Sequence, residues 1–276
     1  MPRDKNHIKI LAVVSITLLL CWSACSNVIR AEESKTSEAE DTPVVGPRTD
    51  KLLRAMGEYL KTAKQFSFHA EITFDDMLPS GQKIQYSASN DIAVHRPDRV
   101  YAESQRDQGN MRFWYDGKNI TLQNDGIGVY AKVPVPAIID AAMDHLMDKY
   151  GFSPPLVDFI YQDPYNTLIE NVEFGFYVGL HNVVGIRCHH LAFVQKNIDW
   201  QIWIEDGKQM VPRKLTITYK NEPESPQFTA VLSEWDLDAR LPKALFNANL
   251  TSTANFEKIE FLDITKEIPS KLGEGE

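Results

Sequence analysis

Thiol and imidazole groups meet in one run of the chain, Cys188-His189-His190, and those are the side chains that bind zinc or copper and support nucleophilic catalysis. The run reads as a β-strand, in which neighbouring residues point to opposite faces, so only Cys188 and His190 share a side. No second ligand pair at metal spacing accompanies them. The expectation is therefore a buried cysteine with two strand histidines, and no metal. His145 lies within a turn of Asp144 and Asp148, and it would complete a Cys-His-Asp set only if folding brought Cys188 to it. Asp140, Asp144 and Asp148 recur every fourth residue, the spacing of a solvated helix face. Asp75-Asp76 and Glu205-Asp206 each sit at a strand end beside turn residues, where acids cap backbone amides. The chain has no G-x-S-x-G elbow, H-E-x-x-H pair or Walker loop. Gly126-Ile127-Gly128 with Ala131 falls in a strand-to-strand turn, so no helix N-terminus is there to take a phosphate. No catalytic residue and no cofactor is expected.

The ends of the chain point to export. Arg3, Lys5 and Lys9 mark the start, an apolar run spans 8–20, and the small residues Ser23 and Ala24 stand before Cys25, the layout of a secretory signal. The run is shorter than the ~20 residues of a membrane span. Two processing routes fit. In one, Ser23-Ala24-Cys25 ends a lipoprotein box and Cys25 is acylated, although Trp22 stands where that box prefers leucine. In the other, ordinary cleavage falls near Ser26 or Ala31. With the first route, Ser26 resembles an outer-membrane sorting residue, giving a periplasmic protein anchored to the outer membrane. Residues 26–47, with Glu32, Glu33, Glu38, Glu40 and Asp41 among Ser, Thr and Pro, read as a solvated linker. Removing residues 1–24 takes away Arg3, Lys5, Lys9 and Asp4 and moves the net charge from -9 to -11. So acidic a chain is a poor partner for nucleic acid and for anionic headgroups, leaving a Cys25 anchor as the membrane contact. Cys188 is then the only folded cysteine, and no internal disulfide can form.

The remaining sequence, 48–266, reads as a single domain with a flexible tail at 267–276. Leu52, Leu53, Met56, Tyr59, Leu60 and Ala63 recur at helical spacing over 49–64, with Asp50 as the cap. Phe66, Phe68, Ala70, Ile72 and Phe74 then alternate with polar residues as a strand with one dry face. A turn at 79–81 leads into Ile84, Tyr86 and Ala88, and further strands follow at 99–104, 111–115, 119–123 and 128–133. Apolar residues at 137–150 form a second helix, with helical pieces at 154–160 and 164–169. Strands resume at 173–180 and 184–195, and end in the alternating runs D-W-Q-I-W-I-E, P-R-K-L-T-I-T-Y and Q-F-T-A-V-L-S-E-W-D. This order predicts a mainly β, α+β domain of about eleven antiparallel strands with helices on one face.

Trp114-Tyr115-Asp116-Gly117-Lys118, Gly185 through Cys188, His190-Leu191-Ala192-Phe193, the run Asp199 to Ile204, Pro212-Arg213-Lys214-Leu215 and Ile217-Thr218-Tyr219-Lys220 together resemble a bacterial family of predicted periplasmic proteins of unknown function. The resemblance spans roughly Arg48 to Leu262. That family is similar to the LolA/LolB-like lipoprotein-localisation superfamily. The resemblance implies a curved, unclosed antiparallel barrel with helices covering its concave side, and a cavity between them. In the superfamily's carrier an arginine helps hold the lid closed, and no residue here is matched to it.

The expected function is non-enzymatic: a cell-envelope protein that binds a lipid or lipoprotein acyl chains between sheet and helices. Large apolar side chains with few polar groups describe such a pocket. Its expected lining is Leu60, Ile138, Ala142 and Leu146 from the helices, Phe68, Ile72 and Phe74 from the first strand, Ile84 and Tyr86 from the second, Phe113, and Leu191, Phe193, Trp200, Ile202, Ile204, Leu215, Ile217 and Tyr219 from the last strands. Two alternatives stand beside it. One is an interaction module with a filled core that meets another envelope protein through an exposed sheet edge or loops; the other is a hydrolase using Cys188 or a histidine.

Overall fold

A computed structural model describes residues 44–107, 109–249 and 256–266; the signal segment, Cys25, most of the acidic linker and the tail lie outside them. The chain opens with β1 (Val44–Val45) and α1 (Pro47–Lys61), then six strands: β2 (Gln65–Met77), β3 (Lys83–His95), β4 (Arg99–Gln105), β5 (Met111–Tyr115), β6 (Asn119–Asn124) and β7 (Val129–Pro134). A helical insertion follows, with α2 (Ile139–Tyr150), a 3-10 turn at Val157–Phe159 and α3 (Pro164–Ile169). Five more strands complete the sheet: β8 (Val172–Val183), β9 (Ile186–Gln195), β10 (Ile198–Glu205), β11 (Pro212–Tyr219) and β12 (Gln227–Asp236). A 3-10 turn (Lys243–Phe246), β13 (Glu257–Lys258) and α4 (Phe261–Lys266) close the described chain.

All strands join one 13-stranded sheet in the order β1-β8-β9-β10-β11-β12-β2-β3-β4-β5-β6-β7-β13. Two meanders, β8–β12 and β2–β7, are fused where β12 pairs antiparallel with β2. The sheet does not close. Each end is blunted by a two-residue parallel strand, β1 on β8 and β13 on β7, which no period-two pattern can announce. They account for the difference from the eleven strands expected. Sheet, α1 and helical insertion share one apolar core on the concave face, with Leu53, Met56, Leu60, Phe66, Ala142, Leu146, Leu191 and Ile202 fully buried in it. The helices divide that face: α1 packs on β8 and β10, and α4 on β6 and β7.

Some boundaries differ from the expected ones for local reasons. Strand structure is already present at Val44, inside the segment read as linker, because Val44 and Val45 pair with Phe174 and Gly175. Gly46, not Asp50, holds the cap position of α1, and Pro47 fills its first turn, where a missing amide costs nothing. Asp50 instead accepts a hydrogen bond from the Tyr165 hydroxyl of α3. The helix expected at 154–160 shrinks to a 3-10 turn, since Pro154 and Pro155 supply no amide donor and Leu156 takes φ 63°. In β12 a bulge with Glu234 at φ 52° shifts the register between Ser233 and Asp236. Simple alternation would aim Glu234 inward. The bulge lets Trp235 face the core, stacked on Phe68 at 4.3 Å, with its indole N–H donating to the Pro212 carbonyl at 2.9 Å.

Candidate functional site

The groups that looked chemically able are held in structural pairings. Cys188 and His190 share the convex face of β9, away from the apolar core that takes Leu191 and Phe193. Cys188 is fully buried, and burial pushes its thiol up to about 11, far from a reactive thiolate. His190 stacks on Trp203 with centroids 4.0 Å apart, and its two ring nitrogens face Gln201 Oε1 at 2.9 Å and His181 Nδ1 at 3.0 Å. His145 packs edge-on against Tyr150 of α2. Asp75 accepts from the Gln227 amide at 3.0 Å and fastens β2 to β12. Glu205 is bound by Arg213 at 2.6 Å, and Asp206 by Arg187 at 2.6 Å. Asp140 and Asp144 do more than face solvent: they accept hydrogen bonds from the Gln162 amide and the Tyr161 hydroxyl, tying the insertion to α2. No group of three or more His, Cys, Asp or Glu side chains suited to a metal ion occurs among the described residues.

One cluster escaped the sequence reading. His69 of β2 stands between Asp91 at 2.8 Å and Glu71 at 2.9 Å, with Ser89 3.4 Å from its Nε2. It has the composition of a Ser-His-Asp triad but not its geometry. The Nε2 position that should take a serine proton faces Glu71, and the Ser89 hydroxyl donates to the same carboxylate at 3.1 Å. The Asp91 hydrogen bond leads in pushing His69 up, which favours the imidazolium.

The space that stands out lies on the concave face. A cavity of about 260 Å³ runs between Ile72 and Phe74 of β2, Ala88 of β3, Leu215, Ile217 and Tyr219 of β11, Phe228 of β12, and the 153–158 segment with Met147 above. A second, of about 80 Å³, lies beside it against Phe68, Ile92, Val100, Phe113 and Leu122 under Phe152 and Ile160. Asn90, Arg106, Pro154, Pro155 and Leu156 belong to both walls. The expected lining residues divide accordingly. Phe68, Ile72, Phe74, Phe113, Leu215, Ile217 and Tyr219 border the cavities. Leu60, Ala142, Leu146, Leu191, Phe193, Trp200, Ile202 and Ile204 lie in packed core instead, with Phe193 and Trp200 stacked at 4.0 Å. Tyr86 is partly buried against Phe74, and Ile84 is partly exposed at the start of β3. Ile138 does not face inward; it precedes α2 in extended backbone and is 52% exposed.

Polar side chains complete the cavity walls, Asn90, Ser104, Arg106, Arg112, Ser153 and Asp158 among them. Asn90 of β3 and Ser104 of β4 are register partners and both buried, and Arg106 Nε donates to Ser104 Oγ at 3.0 Å. Among the described residues, Arg106 Nη1 and Asn90 Oδ1 are buried without a hydrogen-bond partner. Asp158 borders the larger cavity, and burial pushes its carboxyl up. The signal was present in sequence: Asn90 interrupts the dry register Ile84, Tyr86, Ala88, Ile92, Val94, and Ser104 and Arg106 follow Val100 and Ala102. Above them Arg96 joins sheet to cover. Its guanidinium donates to the Leu60 and Ala63 carbonyls at 2.8 and 2.9 Å and to those of Ile160 and Tyr161 at 3.5 and 2.8 Å.

The sheet, its helices and this pocket define an open antiparallel β-sheet protein whose concave face carries a helical cover and a pocket walled mainly by apolar side chains. The chain belongs to the family described as Predicted periplasmic protein (DUF2092), whose model matches residues 49–262. No curated protein sequence matches it. Among solved structures it is similar to the lipoprotein LppX of Mycobacterium tuberculosis, at 13% identity and TM-score 0.47, covering 71% of this chain and 99% of that one. It is also similar to MucB, at 12% identity and TM-score 0.42, covering 77% and 65%. A third is a LolA superfamily protein of Nitrosomonas europaea, at 7% identity and TM-score 0.34, covering 73% and 98%.

Proposed function

We propose that this is a non-enzymatic cell-envelope protein that holds a lipid, or the acyl part of a lipoprotein, between its curved sheet and its helices, and that a Cys25 anchor attaches it to the outer membrane. The observation that carries the reading is the apolar space of about 260 Å³ between β2, β3, β11 and β12 and the 153–158 segment. Protein interiors are close-packed, and apolar side chains that border an unfilled pocket forgo part of that contact energy. An apolar chain recovers it, at ~0.8 kcal/mol per buried methylene. The space is near the lower end of the roughly 300–1,000 Å³ typical of ligand pockets, which suits one chain rather than several.

A second reading, an interaction module, is favoured by β8. Phe174, Phe176, Val178 and Leu180 are 40–45% exposed on a strand whose outer edge meets only β1. Ala88→Phe separates the two, because it puts a ring into the larger cavity and leaves β8 untouched. The first reading predicts that the variant folds and loses about tenfold or more in affinity for a fluorescent fatty acid, roughly 1.4 kcal/mol. Unchanged binding would remove the cavity from the account.

A further inference from the structure

The polar side of the cavity bears on what kind of molecule it takes. Of the two arginines in these walls, Arg112 is neutralised, with Glu103 at 3.0 Å and Asp125 at 2.8 Å. Arg106 has no carboxylate partner among the described residues. It spends Nε on the neutral Ser104 hydroxyl, and Nη1 is buried with nothing to donate to. A guanidinium nitrogen buried without a counter-ion is costly, and it is retained where an anion completes it. The group sits where the two cavities share a wall, beside the partnerless Asn90 Oδ1 and amid Ile72, Ile92, Val100 and Met111. The one acid among the larger cavity's described lining, Asp158, makes no ion pair with Arg106, and burial favours its neutral form.

Resting on the acyl-binding reading above, we infer that Arg106, steadied by Ser104 beside Asn90, receives the anionic oxygen head of a single-chain amphiphile whose tail lies along the apolar walls. The head is a carboxylate or a phosphate monoester, since both offer the oxygens a guanidinium fork matches. Neutral-headed chains would leave Nη1 unpaired.

The test titrates the exported protein, stripped of co-purified lipid, with hexadecanoate, hexadecyl phosphate and hexadecanol. The inference predicts that the native protein binds at least one anionic chain about 10–100-fold more tightly than the alcohol, the range of a charge-assisted hydrogen bond. Preference for hexadecanoate alone identifies a carboxylate cargo, for hexadecyl phosphate alone a phosphate cargo, and for both a reading of charge. Arg106→Met should bind all three alike at the alcohol's affinity, and Arg106→Lys should keep part of the preference. Equal affinity of the native protein for all three, or a preference that survives in Arg106→Met, overturns the head-group assignment and leaves the acyl cavity standing. No binding of any of the three overturns both.

Discussion

Two residues show how polar groups hold this apolar shell together. Arg96 is 9% exposed and its guanidinium serves four backbone carbonyls, two at the end of α1 and two in the 160–161 segment. Arg96→Met would strand those carbonyls in the interior, and the expected loss is at least about 2 kcal/mol, read by thermal or denaturant unfolding. Arg96→Lys should recover little, because one ammonium lacks the fork that spans both segments. His69 carries a pH dependence. Its folded pKa is raised above 6.5, so its contribution is full below that value and fades as pH climbs through the folded value. Glu71 is lowered from 4.5, chiefly by its hydrogen bond to His69, so its share is full above 4.5 and fades as pH falls through the folded value. The cluster should therefore help most between about pH 4.5 and 6.5. With Glu71 64% and Asp91 61% exposed, the gain is at most about 1 kcal/mol. Unfolding of the native protein and of His69→Gln at pH 5.5 and 8 measures it, and the variant should lose the difference.

The contact between α1 and α3 depends on Gly57. A Cβ there would stand 2.6 Å from the Tyr165 Cβ and 2.8 Å from its amide nitrogen, so the two backbones meet at van der Waals range. Around it Arg54 donates to the Tyr165 hydroxyl at 2.7 Å, and Lys61 pairs with Asp163 at 2.8 Å. Gly57→Ala gains helix propensity yet must push α3 away, and the expected net is a loss of about 1–3 kcal/mol. A more stable variant would mean that α3 moves freely. Elements were legible to the degree that their pattern is periodic. α3 falls at the expected 164–169, and β2, β10 and β11 follow their alternation closely. What periodicity does not carry was missed: the edge strands β1 and β13, made of two residues each, and the Glu234 bulge, which depends on backbone geometry. The site was legible in part. Apolar alternation identified Ile72, Phe74, Leu215 and Ile217, but it could not tell packed from unpacked positions, so Trp200 and Ile202 were assigned to a lining when they are filled core. Asn90 and Arg106 were visible as polar residues in a dry register, a signal that gains meaning only once β3 and β4 are paired.

At the scale of the whole molecule, the sheet is packed unevenly. On the β9–β10 side, under α1, Leu191, Phe193, Trp200, Ile202 and Ile204 are at most 3% exposed, whereas the space lies where β2, β3, β4 and β11 meet the proline-bounded 152–160 segment. Pro154, Pro155 and the left-handed Leu156 keep that segment from forming a helix that would fill the space. One half of the sheet is thus tightly packed and the other borders unfilled space, with Arg96 fastening the cover.

Native mass spectrometry of the protein taken from its own membrane fraction tests the central claim most directly. The account predicts a protein that carries one bound lipid or acyl chain, released on mild activation and absent from Ala88→Phe, with the mass of the chain reporting Cys25 acylation in the same spectrum. A native protein that emerges only at the mass of the bare polypeptide, with no lipid in its extract, would contradict it.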